Sequence, residues 1–417
     1  MISFEKYQLD NGLTVILQPD STTPIAAVNI CYNVRSRDEH AERTGFAHLF
    51  EHLMFGGSKN IPSYDKVLQR VGGDNNAFTS VDITNYYLTL PAQNIETAFY
   101  LESDRMNELA FNVKSFDVQR NVVVEEFKQS YLNQPYGDAM LLLKPLAYKV
   151  HPYRWNTIGI SPEHIQDATM EEVKEFFYTF YRPNNAVMTI SGNIHTEECK
   201  RMINHWFGSI PAGKTYHRNL PQEPPQLQSR FMETEREVPC NCLYKAYKMC
   251  KRTHPDFYAV DLLSDILSNG DSARLTQKLV NDKKIFSSVN AYVLGTFDEG
   301  LFLISGYVNP GIDLTTADQA VQQQLHLLQE QPIREYELQK VKNKAQTILD
   351  YAELAVQDKA MNLSIFEVMS QAEDINEEDK KYAGVSAEKM QTVARQVFDE
   401  KQCSTLYYKA QKEVQPL

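Results

Sequence analysis

The chain has 417 residues, a formal net charge of −12 and 42% hydrophobic residues, which suits a globular protein of two domains of about 200 residues each. The acidic balance and the absence of a basic stripe exclude nucleic acid as an expected partner. No apolar run of about 18 residues occurs, so no membrane-spanning segment is predicted. The N-terminal sequence lacks the basic start and apolar core of a signal peptide, which predicts a cytoplasmic location.

Strand and helix patterns are mixed along the first half of the chain. Strand patterns occur at residues 13–18, 26–34, 77–90 and 186–192. Helical patterns occur at residues 45–55, 63–73, 93–110, 115–132 and 169–181. Because this order lacks the regular alternation of a parallel sheet, the sequence predicts an α+β fold with mainly antiparallel sheets packed with helices.

A polar, proline-rich stretch at about residues 211–230 divides the chain into two halves. It predicts a first domain over 1–215, a linker over 216–235 and a second domain over 236–417. The second half repeats the strand-then-helix order of the first. When the two helices are overlaid, Val260, Leu263 and Ser264 of the second half take the places of a His, a Glu and a His, so the second domain is predicted to be metal-free.

The six cysteines are dispersed through this large chain, which predicts reduced thiols rather than a disulfide framework. Cys240 and Cys242 lack a second Cys or His pair at zinc-finger spacing, so both are predicted to be ordinary strand residues.

The chemistry is concentrated in His48-Leu49-Phe50-Glu51-His52, an H-x-x-E-H pattern within the predicted helix at 45–55. Residues four apart on a helix share a face, so the imidazoles of His48 and His52 can converge on one ion. Glu51 projects beside them, where a carboxylate can take a proton from an attacking water. A core histidine or a chance match without metal is the alternative, but two histidines and a glutamate on one apolar face are costly to bury without a partner.

A third ligand must come from elsewhere, and the predicted helix at 115–132 offers Glu125 and Glu126. With this pair of elements the sequence resembles the pitrilysin or insulinase family of zinc peptidases, which includes insulin-degrading enzyme and the mitochondrial processing peptidase. The resemblance implies Zn²⁺ held by His48, His52 and Glu126, with Glu51 as the catalytic base. Glu125 lies about 100° away around the helix and is expected to be exposed or to lie behind the ligands.

Further motifs extend the resemblance over most of the chain. They are the segments at residues 72–79, 151–153, 158–159, 177–185 and Gly192. The first of these implies an edge strand whose Asn76, Ala77 and Phe78 bind an extended peptide through the backbone. Phe78 is expected either to line a side-chain pocket or to belong to the core.

The sequence departs from the family pattern at two places. Many members carry in the second half an Arg and a Tyr that hold the substrate at the zinc, and Val280 and Ser287 occupy those positions here. Gln119 stands where related enzymes often have a carboxylate that supports the metal ligands by hydrogen bonding. An amide can still orient a ligand in this way. Asp117 is a nearby carboxylate that could take the same role.

The resemblance implies a zinc metalloendopeptidase that hydrolyses peptides bound as an added β-strand in a closed chamber. Because Val280 and Ser287 replace the Arg and Tyr, the chain is expected to be the catalytic subunit of a heterodimer whose metal-free homologous subunit supplies those residues. A homodimer is the simpler alternative. A catalytically silent peptide-binding or assembly subunit of the same fold is a further alternative, and metal analysis would distinguish it.

Overall fold

A computed structural model describes residues 1–216 and 218–411. The strands are β1 (Glu5–Gln8), β2 (Thr14–Pro19), β3 (Ile25–Tyr32), β4 (Asp74–Thr79), β5 (Thr84–Pro91), β6 (Ala186–Gly192), β7 (Arg230–Arg236), β8 (Cys242–Met249), β9 (Phe286–Leu294), β10 (Gly300–Val308) and β11 (Cys403–Ala410). The helices are α1 (Phe46–Leu53), α2 (Tyr64–Arg70), α3 (Ile95–Asn107), α4 (Val113–Phe127), α5 (Ala139–Ala147), α6 (Pro162–Gln166), α7 (Met170–Phe180), α8 (Thr196–Phe207), α9 (Phe257–Ser268), α10 (Leu314–Glu330), α11 (Glu335–Ala352), α12 (Val356–Met369), α13 (Glu378–Ala383) and α14 (Ala387–Val397).

The first unit is built around a six-stranded sheet in the order β1-β2-β6-β3-β5-β4. Strands β2 and β6 pair in parallel, and the other neighbours pair antiparallel. The central strand β3 is almost entirely buried, because its run of apolar residues has elements packed on both faces. Strand β4 pairs with β5 and forms one edge of the sheet.

Helix α12 belongs to this first unit although it comes late in the sequence. Its Ala360 packs against Ala27 of β3, and its Leu363 packs with Ile16 and Val187 of the neighbouring strands. The hydroxyl groups of Thr189 and Ser364 are also 2.7 Å apart. Burial of this apolar face gives α12 its place on the sheet.

The units accordingly comprise residues 1–128, 155–220 and 350–377 in the first, and residues 129–154, 221–349 and 378–417 in the second. This division differs from the predicted boundaries at 1–215 and 236–417, because segments from each half pack with the other half's sheet. The predicted linker includes residue 217 and the predicted second domain includes residues 412–417, all of which lie outside the described residues.

The second unit contains a five-stranded sheet in the order β7-β11-β8-β10-β9, in which β7 and β11 are parallel. Helices α9, α10 and α14 bury apolar residues against it in one continuous core. Strand β8 followed by α9 repeats the order of β3 followed by α1. Val260, Leu263 and Ser264 are buried on α9, so the positions matched to the H-x-x-E-H residues are part of the packing.

The predicted α+β class, with two sheets each packed with helices, is confirmed by this architecture. The structure adds β1 and α8, which the sequence patterns did not indicate, and one parallel pair in each sheet. The six cysteines are free. Within the described ranges, no helix has the length and apolar character needed to cross a membrane.

Candidate metal centre

Helix α1 carries the H-x-x-E-H residues on its more exposed face. Its opposite face is apolar and buried through Phe46, Ala47, Leu49, Phe50 and Leu53. The ring of Phe50 stacks on those of Phe176 and Tyr181, with centroids 4.8 and 5.2 Å away. This packing fixes the rotation of the helix about its axis, and it therefore sets the direction in which the polar residues point.

The beginning of α1 is fixed by a buried carboxyl group that the sequence interpretation missed. Glu39 accepts hydrogen bonds from the backbone N–H groups of Gly45 at 2.9 Å and Ala47 at 2.7 Å. These are donors that the first turn of a helix leaves without intrahelical partners. Gly45 has φ of +93°, and a Cβ there would lie 2.6 Å from the carbonyl oxygen of Ile158, so only glycine fits this helix start.

Three predicted ligands meet at one point. His48 Nε2 lies 3.7 Å from Glu126 Oε1, and His52 Nε2 lies 3.5 Å from Glu126 Oε2. One donor atom from each residue falls within 4.8 Å of the others. Helix α1 supplies the two imidazoles and α4 supplies the carboxylate, so two elements distant in sequence build the cluster.

The surroundings of His48 and Glu126 shift the pKa values of these two side chains. Burial lowers the pKa of His48, although the nearby charge of Glu126 opposes the effect. A hydrogen bond with His52 lowers the pKa of Glu126, while partial burial acts in the opposite direction. Neutral imidazoles and an ionised carboxylate are the forms in which these side chains bind metals.

The donor set fits a zinc ion. Zinc takes imidazole nitrogen and carboxylate oxygen at about 2.0–2.2 Å, which puts two tetrahedral ligands about 3.3 Å apart. The 3.5 and 3.7 Å separations between the imidazoles and Glu126 are close to that value. The Nε2 atom of His48 faces Glu126, while Nδ1 of the same ring is buried and has no hydrogen-bond partner within the described residues. Three protein ligands leave one position open, as in catalytic rather than structural sites.

Glu51 lies on the same helix and is oriented by a residue of the edge strand. Its Oε2 accepts a hydrogen bond of 2.7 Å from the Thr79 hydroxyl. The negative charge of Glu51 acts to raise the pKa of His48, in opposition to burial, which is consistent with a position beside the ligands. Thr79 was not singled out from the sequence, although it is the final residue of the segment at 72–79.

Strand β4 presents an open edge next to this cluster. At its turn the Ser80 N–H donates to the Ile83 carbonyl. Hydrogen-bonded and non-bonded pairs alternate in an antiparallel ladder, so the N–H groups of Asn75, Ala77 and Thr79 point away from β5. The Ala77 N–H donates a hydrogen bond of 2.8 Å to the side-chain oxygen of Asn76.

The other residues predicted for the site lie farther from the cluster or pair elsewhere. Phe78 is partly buried on β4, while Asn76 is exposed. Gln119 is partly exposed and lies two helical turns before Glu126 on the same side of α4. Glu125 is exposed and its carboxylate pairs with Lys128 at 2.7 Å, and Asp117 pairs with Arg120 at 2.9 Å. The structure therefore gathers His48, His52 and Glu126 but not Glu125 or Asp117.

The two positions at which the pattern's Arg and Tyr are replaced lie in the second unit. Val280 is partly buried against the apolar core, within a π-helical turn at Thr276–Asp282. Ser287 is exposed on β9, and its hydroxyl donates to the Tyr307 carbonyl at 3.3 Å. Neither side chain offers the long cationic or phenolic donor found in the pattern.

Comparison with known proteins places this architecture in a family. The model described as Insulinase (Peptidase family M16) matches residues 14–147, which include the whole cluster, and the model described as Peptidase M16 inactive domain matches residues 167–345. The two matches cover most of the chain. The chain belongs to the M16 family of peptidases.

Individual relatives agree with this assignment. The chain is 28% identical over 412 residues to the zinc protease PqqE of Helicobacter pylori, covering 97% of this chain and 92% of that protein. A crystal structure of a protease from Helicobacter pylori superposes with a TM-score of 0.92 at 27% identity, covering 98% of this chain and 100% of that one. A probable mitochondrial-processing peptidase subunit beta of Schizosaccharomyces pombe is 25% identical, covering 64% of this chain and 60% of that protein.

Proposed function

We propose that this protein is a zinc-dependent metalloendopeptidase. The observation that carries the proposal is the convergence of His48 and His52 from α1 with Glu126 from α4, at nitrogen-to-oxygen distances of 3.7 and 3.5 Å. The donor set is that of a catalytic zinc site. The similarity to proteins named zinc proteases supports the same conclusion.

The proposed chemistry divides between the metal and the chain. A bound zinc ion would polarise the scissile carbonyl and make water more acidic. Glu51 would accept the proton of the attacking water and deliver it to the leaving amine. Its Oε2 is engaged by Thr79 at 2.7 Å, which leaves Oε1 for this transfer.

The proposed substrates are peptides in extended conformation. The N–H groups of Asn75, Ala77 and Thr79 point outward from the open edge of β4, and an extended peptide can add to such an edge as a further strand. A peptide that pairs with Ala77 would displace the Asn76 side-chain oxygen that now accepts from its N–H. Backbone pairing gives affinity with little dependence on sequence. The enclosure of the peptide in a closed chamber, which the family resemblance implies, is part of this proposal and predicts that folded proteins are poor substrates.

We also propose that the active enzyme contains a second, metal-free homologous subunit. Val280 has an apolar side chain that is partly buried against a core, and the Ser287 hydroxyl bonds to a backbone carbonyl. Neither therefore supplies the donor that steadies a developing oxyanion or the neighbouring backbone. The similarity to a processing-peptidase protein named as a beta subunit supports an assembly of two different chains. A homodimer is the competing assembly, and a catalytically silent peptide-binding subunit is the competing function.

The test of the proposed function measures zinc and cleavage in one set of variants. The wild-type chain should hold about one zinc per chain and cleave an unfolded peptide when supplied with its partner. His52→Ala should lose zinc while the circular dichroism spectrum is unchanged. His205→Ala is the matched control, because His205 is exposed on α8 of the same unit, and it should keep zinc.

Glu51→Gln separates catalysis from metal binding. It should retain zinc and lose cleavage by on the order of 10²-fold or more, since the amide cannot accept a proton. A wild-type protein that contains zinc, forms a complex and yet cleaves no peptide would favour the silent subunit. Unchanged zinc in His52→Ala would show that the ligands are misassigned.

A further inference from the structure

The hydroxyl of Thr79 has one proton to donate and two oxygen atoms near it, one of which is much closer than the other. Its Oγ1 lies 2.7 Å from Glu51 Oε2 and 3.5 Å from the Ala47 carbonyl oxygen. The shorter contact has the usual length of a hydrogen bond donated by a hydroxyl to an oxygen atom, whereas the longer one is at the outer limit for such a bond. The proton is therefore donated to Glu51, and the contact to Ala47 is secondary.

This bond restrains a partly exposed side chain. Glu51 is partly exposed on α1, and a glutamate of this kind has several rotamers available to it. Fixing Oε2 selects one of them and leaves Oε1 available. A general base must lie within hydrogen-bond reach of the proton that it takes, so the orientation of this carboxylate matters to the rate of reaction.

The same residue belongs to the proposed peptide-binding edge. Thr79 is the last residue of β4, and its backbone N–H points away from β5 like those of Asn75 and Ala77. Its side chain, in contrast, is directed to α1. Thr79 thus connects the strand edge that would pair with a peptide to Glu51, the proposed base that would act in cleavage of that peptide.

From this arrangement, and resting on the proposed function, we infer that Thr79 is a positioning residue that orients Glu51 and couples it to the peptide-binding edge. It does not touch the reacting atoms through its side chain. Its contribution is to hold the base in a productive rotamer while the backbone of β4 receives the substrate.

The first test compares Thr79→Val with Thr79→Ser. Valine has nearly the same shape and cannot donate, so kcat should fall by about tenfold or more, as misplacement of a catalytic group does, while KM and zinc content stay within about twofold of wild type. Serine keeps the hydroxyl and should restore kcat to within a few-fold. Thr89→Val is the matched control, because Thr89 lies on the adjacent strand β5 opposite Asp74, and it should leave kcat unchanged.

The second test measures the contact itself without turnover. A double-mutant cycle of Thr79→Val and Glu51→Ala in the metal-free full chain should give a coupling of about tenfold in the unfolding equilibrium constant, as bonded neighbours do. Wild-type kcat in Thr79→Val, a rise in KM alone, equal loss in Thr79→Ser, or an additive cycle would each overturn the inference. A zinc-loaded wild type that cleaves no peptide would instead overturn the proposed function and, with it, the role of Thr79 in positioning a base.

Discussion

The start of α1, the helix with two of the proposed zinc ligands, depends on one buried carboxyl group, so Glu39→Ala should destabilise the first unit. Glu39 is 8% exposed, and its carboxylate accepts from Gly45 and Ala47 at 2.9 and 2.7 Å. Alanine leaves both N–H groups buried without this acceptor. Each such donor costs about 1–3 kcal/mol, so the free energy of unfolding should fall by about 2–4 kcal/mol in total, with partial relaxation of the helix end included.

The assay is urea denaturation followed by far-ultraviolet circular dichroism, with each unit's transition fitted separately because a chain of two units need not unfold in one step. Glu39→Gln keeps one amide oxygen as an acceptor and should lose about half as much. Glu42→Ala is the control, because Glu42 is exposed nearby, and it should change stability by less than about 0.5 kcal/mol. A loss in Glu39→Ala no larger than in this control would refute the reasoning.

The same carboxyl group gives the free energy of unfolding a pH dependence of defined sign. Burial raises the pKa of Glu39 from 4.5 to about 8, although the N–H groups of Ala47 and Gly45 oppose the shift. A carboxyl with a raised pKa in the folded state binds a proton on folding, so its contribution is complete below about pH 4.5 and is lost as the pH rises through about 8. The stability of the wild type relative to Glu39→Gln should therefore decline across this range. A constant difference would contradict the assigned burial effect.

Further predictions concern metal, substrate and assembly. Removing the metal with a chelator should abolish cleavage and lower the Tm while leaving the fold intact, and added zinc should restore both; cleavage that survives complete metal removal would refute the zinc requirement. Ala77→Pro removes an outward N–H of β4 and should raise KM by about tenfold, whereas Ala77→Ser keeps the N–H and should not; equal KM values would argue against edge pairing. The isolated chain should turn over peptides slowly, and a metal-free homologue bearing the Arg and Tyr should increase the rate by roughly 10²-fold in a 1:1 complex. Mutation of that Arg should cancel the gain, and full activity of the chain alone would rule out the need for a partner.

The elements around the cluster of His48, His52 and Glu126 could be predicted from sequence because their patterns are local. The predicted helix at 45–55 corresponds to α1, and the predicted strands over 77–90 correspond to β4 and β5. Helical spacing alone was sufficient to bring His48 and His52 to one face. The prediction of Glu126 as the third ligand depends on the contact between α1 and α4, which no local pattern encodes. That prediction came from the family resemblance.

The parts that sequence did not predict depend on contacts between distant segments. The apolar positions of α12 gave no indication that the helix would pack on β3 and β6, because an amphipathic helix does not specify its partner sheet. Glu39 lies before α1 in an irregular segment, and its capping role depends on the path of the loop. A carboxylate shortly before an apolar helix was the available signal. In the sequence, Thr79 is an ordinary residue of a strand pattern, and the hydrogen bond from its hydroxyl to Glu51 is evident only in the structure.

The most direct measurement of the central claim is anomalous scattering at the zinc edge from crystals of the Glu51→Gln variant, which should retain metal without turnover. The account predicts one peak about 2.0–2.2 Å from His48 Nε2, His52 Nε2 and a carboxylate oxygen of Glu126. A zinc peak away from these three residues, or no peak in protein prepared with zinc, would contradict it.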